Sequence, residues 1–190
     1  MHRKIVVMFL MSCFVLTSCS RGTDLLTPNT EVEQETEDID VVLHDYLENI
    51  PEDVLQAIFS YGYTIQLVES LDEEYNLKYV SGITIPEIKE IILEADSEKF
   101  RQTVAHEVFH AFDDYLGFIS DSDEFISIYE QEKDLMQVTG FVSAGQHTAN
   151  TKEYFAEACQ MYVYDAEILK DSAPQTYRFI NNILKGDFNE

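Results

Sequence analysis

Basic residues are scarce in this 190-residue sequence, which has 12 Lys and Arg against 36 Asp and Glu and a formal net charge of −24. A surface with this charge repels the phosphates of DNA and RNA, so the composition excludes nucleic acid as a partner. It also disfavours acidic substrates and attracts neutral or basic ones. The hydrophobic content of 45% is nevertheless ample for a folded core.

Cysteine is also scarce, and two of the three cysteines lie near the N-terminus. Two basic residues there precede an apolar run over residues 5–16, which is too short to span a bilayer comfortably. The run ends in the sequence LTSC, which is similar to the cleavage motif of bacterial lipoproteins. We predict that residues 1–18 are a signal peptide and that Cys19 is lipidated. The mature chain would then lie on the extracellular side of a bacterial membrane, lipid-anchored or secreted. An ordinary signal peptide cleaved at a neighbouring serine is the alternative.

Cys159 alone remains in the part of the chain that we expect to fold, so no internal disulfide is predicted there. Its apolar surroundings favour a small buried hydrophobic residue over a nucleophile. Residues 19–40 carry an acidic run with few apolar side chains, a composition that cannot bury enough surface to fold. We interpret this segment as an extended linker and residues 41–190 as one folded domain.

The main candidate for a functional site is the sequence HEVFH at residues 106–110, which fits the HExxH pattern. His106 and His110 are four positions apart and therefore lie on one face of a helix. Two imidazoles at this spacing can bind one Zn²⁺, and Glu107 is then free to act as a base on a metal-bound water. Because the short pattern also occurs by chance, its interpretation depends on the surrounding sequence.

Hydrophobic periodicity and turn residues predict an α+β fold, with a small sheet followed by a mainly helical C-terminal half. A zincin-type active-site helix would carry HEVFH. Strands are expected over residues 63–69, 78–85 and 88–95. Helices are expected over residues 51–62, from 96 or 97 to 117, and over about 121–137, 152–164 and 174–186.

Two further acidic residues, Glu153 and Glu157, lie on one face of the otherwise apolar sequence EYFAEACQMY. A buried pair of like charges is costly unless a cation compensates it, and a zinc ion held by two histidines is such a cation. We predict that Glu153 is the third ligand and that Glu157 bonds to a ligating histidine, with a solvated acidic edge as the alternative. Asp114, four positions after His110, is either a similar partner of that histidine or part of a solvated helix end.

Three blocks, HEVFHAFDDYLG, EYFAEACQMY and APQTYRFIN, resemble the catalytic domain of the anthrax lethal factor family, which includes the proline-proline endopeptidases. The order and spacing of the blocks match over most of the predicted domain. The resemblance implies an α+β zinc metallopeptidase of the gluzincin-like type with one Zn²⁺ per domain. It also implies that His106, His110 and Glu153 bind the ion, that Glu107 is the general base and that Glu157 supports the site.

One position departs from the pattern of that family, which usually has a catalytic tyrosine seven residues before the ligand glutamate. This chain has Gln146 there, followed by His147. The tetrahedral intermediate needs a hydrogen-bond donor, and a cationic imidazole is a stronger donor than a neutral amide. We therefore predict that His147 replaces the tyrosine as a catalytic residue. Gln146 as the donor, and a solvated loop histidine, remain the alternatives.

Together these features predict a membrane-anchored zinc endopeptidase, monomeric, that hydrolyses protein or peptide substrates. The substrate would lie extended against an edge strand, for which residues 63–69 are one candidate. The first alternative is a non-catalytic zinc-binding surface lipoprotein that holds a protein partner, which the altered tyrosine position motivates. The second is a structural surface lipoprotein without metal.

Overall fold

The computed structural model describes residues 43–78, 80–95, 100–136 and 149–186. The described elements confirm the predicted α+β class, with a three-stranded sheet and a mainly helical C-terminal half. In chain order they are α1 (43–47), α2 (Glu52–Ser60), β1 (Thr64–Val68), α3 (Leu71–Tyr75), β2 (Gly82–Ile85), β3 (Glu90–Glu94), α4 (Phe100–Tyr115), a 3-10 helix (Ile119–Asp121), α5 (Asp123–Glu132), α6 (Thr151–Ser172) and α7 (Pro174–Leu184).

Several predictions concern residues outside these ranges and therefore stay predictions. They are the signal peptide, the lipidation of Cys19, the linker over residues 19–40, the start of the domain at residue 41, and the roles of Gln146 and His147. In the part of the chain that is described, no helix is both long and apolar enough to cross a membrane.

The sheet has the strand order β1-β3-β2, with β3 parallel to β1 and antiparallel to β2. The central strand β3 is apolar on both faces, and its residues 91–93 are fully buried. The alternating pattern of residues 63–69 predicts a half-buried strand, but residues 65–68 are all buried. The reason is that Leu71 of α3 packs with Val68 and Ile92 on the second face of the sheet.

Strand β2 forms one edge of the sheet and lies against α4. The carbonyl oxygen of Ser81 accepts the N–H of Glu94 on β3 at 2.9 Å. In an antiparallel ladder such bonded pairs recur at every second residue, so the main-chain groups of Gly82 and Thr84 point away from β3. They point to the side of β2 on which no strand of the described residues pairs, the free edge of the sheet. The side of the strand that carries these two residues faces α4, whereas its two isoleucines pack on the opposite face.

Helices α4 and α6 carry the predicted site and pack side by side. Residues 104–109 of α4 and residues 154–161 of α6 are buried on all sides. Cys159 is one of these buried residues of α6, and burial raises the pKa of its thiol. This environment agrees with the expected role as a small hydrophobic residue, since a reactive cysteine needs a stabilised thiolate.

Two predicted helix ends were wrong, and helix α3 was not predicted. Helix α6 continues to Ser172 instead of ending near residue 164, because helical turns resume after a non-helical residue, Asp165 (φ −154°, ψ 55°). Helix α5 ends at Glu132 instead of near residue 137. Ser70 caps α3 by accepting the N–H of Glu73 at 3.3 Å.

A buried carboxylate joins α5 to the start of α7. Glu132 accepts the N–H groups of Gln175 and Thr176 at 3.0 and 2.8 Å and the hydroxyl of Thr176 at 2.8 Å. The hydroxyl of Tyr154 on α6 lies 2.8 Å from the same threonine oxygen. Pro174 at the first position of α7 has no N–H, and the carboxylate of Glu132 accepts the next two N–H groups of that helix. The Thr176 hydroxyl then connects this carboxylate to Tyr154 of α6.

Candidate active site

The two histidines of the HExxH sequence lie one turn apart on α4 with their ring nitrogens converging. The Nε2 atoms of His106 and His110 are 3.0 Å apart, and the two rings meet edge to face. His106 is buried and His110 is half-buried. The helix therefore presents both nitrogens to one point, as the spacing predicts.

Glu153 reaches the same point from the first turn of α6. Asn150 caps that helix, since its side-chain oxygen accepts the N–H groups of Lys152 and Glu153 at 3.0 Å each. The carboxylate of Glu153 lies 3.2 Å from Nε2 of His106 and 3.5 Å from Nε2 of His110. The cap thus fixes the start of α6 and with it the main-chain position of Glu153, the third predicted ligand.

These three side chains form a group whose dimensions fit a tetrahedral metal ion. One donor atom from each lies within 4.8 Å of the others. With metal–nitrogen bonds of 2.0–2.1 Å, neighbouring ligand atoms of a tetrahedron are about 3.3 Å apart. The two Nε2 atoms are 3.0 Å apart, and the Glu153 carboxylate approaches them to 3.2 Å through Oε2 and 3.5 Å through Oε1, which is close to this value. Two imidazoles and one carboxylate are also a usual donor set for catalytic zinc, which keeps a further position open.

The electrostatics of the group favour positive charge at this point. Burial opposes protonation of His106, but the carboxylates of Glu153 and Glu157 outweigh it and raise the pKa of the imidazole to about 10. Burial likewise opposes ionisation of Glu153, but the imidazoles of His106 and His110 hold its pKa well below the ordinary value. A bound divalent cation would supply the charge that these carboxylates favour.

Glu157 lies behind the group, one turn after Glu153 on α6. Its carboxylate is 3.6 Å from Nδ1 of His106, an ion-pair distance rather than a hydrogen bond, and the residue is buried. A carboxylate on this side of the ring favours a proton on Nδ1 and leaves Nε2 free for a ligand. The structure therefore places Glu157 where the sequence predicts it, next to a histidine of the group.

Glu107 is buried, and it contacts a residue that sequence reasoning missed. Oγ1 of Thr84 on β2 lies 2.8 Å from Oε2 of Glu107 and 2.8 Å from its main-chain oxygen. The contact joins residues 23 positions apart, so it depends on the placement of β2 against α4. A polar residue on the helix-facing side of an edge strand is the only signal that would have indicated it.

The prediction for Asp114 was wrong in both of its forms. Its carboxylate accepts the hydroxyl of Tyr63 at 2.7 Å and pairs with the ammonium of Lys89, and the residue is 7% exposed. It is therefore neither bonded to His110 nor solvated. The neighbouring Asp113 is also buried and accepts the N–H and hydroxyl of Ser120 at 3.0 and 2.6 Å. Both anions at this helix end are compensated by donors from other segments.

A family model and two known proteins match this chain in sequence. A family model described as "Anthrax toxin lethal factor, N- and C-terminal domain" matches residues 78–183, which include α4 and α6. A Pro-Pro endopeptidase from Paenibacillus alvei is 31% identical over 164 residues, which cover 73% of this chain and 74% of that protein. Lethal factor from Bacillus anthracis is 33% identical over 129 residues, which cover 60% of this chain but 16% of lethal factor.

Comparison of the fold with solved structures gives a match to one of the same proteins. The solved structure of the Pro-Pro endopeptidase from Paenibacillus alvei superimposes with a TM-score of 0.63 at 28% sequence identity. The superposition covers 77% of this chain and 91% of that structure. With the family model spanning more than half of the sequence, these matches show that the chain belongs to the anthrax toxin lethal factor family.

Proposed function

We propose that this chain is a zinc-dependent endopeptidase that hydrolyses peptide bonds in proteins or peptides. The observation that carries the proposal is the convergence of donor atoms from His106, His110 and Glu153 on the helix pair that also carries Glu107. Three protein ligands with partial exposure are typical of a catalytic zinc site, since structural sites use four. The endopeptidase relative supports this chemistry.

The mechanism assigns the proton transfers to Glu107. When bound, zinc would lower the pKa of a water molecule and polarise the scissile carbonyl. Glu107 accepts a proton from the attacking water and then delivers it to the leaving amine. Glu157 keeps the ring of His106 oriented from its Nδ1 side throughout.

The substrate would add as an extended strand to the free edge of β2. Residues 63–69 were one sequence-based candidate for this strand, but β1 lies at the other edge of the sheet. Thr84 of β2 contacts Glu107, and its main-chain groups point to the free edge. A peptide paired there by main-chain hydrogen bonds would pass directly beside the proposed base.

The oxyanion donor of this proposal is His147, with Gln146 as the competing residue. Removing one such donor costs about 10²–10³ in rate, so His147→Ala should lower kcat with zinc retained and KM little changed. Gln146→Ala is the matched comparison. If Gln146→Ala is impaired and His147→Ala cleaves at the wild-type rate, the glutamine is the donor.

The location in this proposal is the extracellular side of a bacterial membrane, anchored through lipid on Cys19. One acyl chain alone gives marginal membrane binding, so two or more are expected. Cys19→Ser should release the protein or leave its signal peptide uncleaved. Mass spectrometry of the wild-type protein tests the idea directly, because a soluble chain without lipid would disprove it.

One experiment tests the activity itself. The purified protein is analysed for zinc and incubated with a peptide library before and after chelation and after zinc is added back. Peptides containing Pro-Pro bonds are the first to include, given the name of the relative, and the charge of −24 favours neutral or basic sequences. One zinc per chain with cleavage that depends on it is expected. Bound zinc without cleavage of any peptide would favour the non-catalytic zinc-binding alternative.

A further inference from the structure

The hydroxyl of Thr84 is the contact through which the edge strand holds the side chain of Glu107. Oγ1 lies 2.8 Å from both Oε2 and the main-chain oxygen of that residue. A hydroxyl has one hydrogen, so it is shared between the two acceptors or alternates between them. In either case the Thr84 hydroxyl bridges the carboxylate and the main-chain oxygen of Glu107.

The packing around Gly82 shows how closely β2 approaches the base. A Cβ atom at this position would lie 2.5 Å from Cγ2 of Thr103 and 2.8 Å from Cγ of Glu107. Both distances are far below van der Waals contact, so any larger residue would displace one of these side chains. The strand can therefore bring the Thr84 hydroxyl within hydrogen-bond distance of the carboxylate because Gly82 has no side chain.

We propose that Thr84 is a positioning residue for the general base, an inference that rests on the role of Glu107 proposed above. With Oε2 held by the hydroxyl, the second carboxylate oxygen of Glu107 is the one available to a proton of the attacking water. The main-chain groups of Thr84 point to the free edge, where an extended substrate would pair. One residue then locates both the substrate backbone and the base, which fixes their distance from each other.

Isosteric replacement provides the kinetic test. Thr84→Val keeps the shape and strand preference of the residue but removes the hydroxyl, whereas Thr84→Ser keeps the hydroxyl. We expect Thr84→Val to lower kcat roughly 10- to 100-fold, with KM, zinc content and melting temperature little changed. Thr84→Ser should stay near the wild-type rate. Thr64→Val makes the same chemical change on the far edge strand β1, away from Glu107, and should leave kcat unchanged.

Crystal structures of the same variants provide a readout that does not depend on activity. In Thr84→Val the carboxylate of Glu107 should occupy a different or a second rotamer, and in Thr84→Ser it should stay as in the wild type. A carboxylate that stays in place in Thr84→Val would overturn the proposal, as would equal loss of kcat in the valine and serine variants. If no peptide is cleaved by the wild type, the endopeptidase proposal fails, while the position of Glu107 still decides whether Thr84 holds it.

Discussion

The middle of α4 and its C-terminal end both bury charged side chains, but the two regions compensate the charge in different ways. At the C-terminal end, Asp114 accepts from Tyr63 and Lys89, and Asp113 accepts from Ser120. These partners are two hydroxyls, an ammonium and a main-chain N–H, all of which keep their protons around neutral pH. The helix macrodipole disfavours anions at this end, so the fixed donors are what make the two aspartates tolerable.

In the middle of the helix, the buried carboxylates face a group whose positive charge can be gained or lost. The carboxylates of Glu153 and Glu157 lie beside His106, whose positive charge depends on a bound proton. A zinc ion can take the place of that proton, because imidazole nitrogen and carboxylate oxygen are both zinc ligands. Permanent donors therefore accompany the C-terminal end of α4 (the structural end), whereas exchangeable ones accompany the middle of the helix, to which we assign the proposed function (the functional part).

The largest effect is expected from removing one donor of the functional part. His106→Ala leaves two of the three donors, so stoichiometric zinc binding and peptide cleavage should both be lost. Added zinc should then no longer raise the melting temperature, since only a metal bound to the native state adds stability. The matched control is His44→Ala, which removes an exposed histidine whose Nε2 lies 3.4 Å from the carboxylate of Glu48. Full zinc occupancy in His106→Ala would contradict the ligand assignment.

The next largest effect separates the base from the ligands. Glu107→Gln keeps the size of the side chain but removes the proton acceptor, so cleavage should fall by about 10²–10⁴-fold with zinc retained. Metal analysis and initial rates on the same sample measure both quantities. Glu130→Gln changes an exposed glutamate paired with Lys133 and should behave as the wild type. Zinc loss in Glu107→Gln would show that this residue is a ligand, and an unchanged rate would remove it from catalysis.

The success of the sequence-based predictions depended on how far apart the interacting residues are in the chain. His106 and His110 meet because four residues make one turn of a helix, so their convergence follows from local geometry. Glu153 is 47 positions from His106, yet its placement was predicted because a glutamate in an apolar helix needs a cation. The energetic cost of a carboxylate in an apolar segment therefore indicated this long-range contact without knowledge of the fold.

The failures concern partners that only the tertiary fold brings together. Asp114 is 51 positions from Tyr63 and 25 from Lys89, and nothing in the local pattern distinguishes it from a partner of His110. Thr84 was missed for the same reason, since its contact with Glu107 requires β2 to lie at the edge next to α4. The order of strands in a sheet is a long-range property, which periodicity within one strand does not determine.

At the structural end, a substitution should change stability and leave the chemistry unchanged. Asp114→Ala removes the acceptor of the buried Tyr63 hydroxyl and the counter-charge of Lys89, so we expect the free energy of unfolding to fall by about 1–3 kcal/mol. The lower half of this range is favoured because the Lys89 side chain is 27% exposed and can be solvated. Denaturant unfolding measures the loss. A tenfold weaker zinc affinity without loss of stability would show instead that Asp114 serves His110.

The smallest effect, and the one that depends on pH, is expected for Tyr63→Phe. This variant removes one hydrogen bond to Asp114, which keeps Lys89 as a partner, so it should cost about 0.5–1.5 kcal/mol at neutral pH. Burial and the hydrogen bond to Asp114 raise the pKa of Tyr63 well above its ordinary value of 10.0. The contribution of this group is therefore fully present below pH 10 and decreases as the pH rises above that value, because the unfolded state then ionises first.

The stability difference between the wild type and Tyr63→Phe should accordingly shrink between pH 9 and pH 11. Groups that both proteins share cancel in this difference, so the pH dependence belongs to Tyr63. Tyr115→Phe is the matched control, because it removes a hydroxyl from a tyrosine that is 43% exposed and contacts Tyr61 and Phe112 through its ring. It should change stability by less than about 0.5 kcal/mol at any pH in this range. A difference for Tyr63→Phe that stays constant up to pH 11 would mean that neither burial nor the bond to Asp114 keeps the hydroxyl neutral.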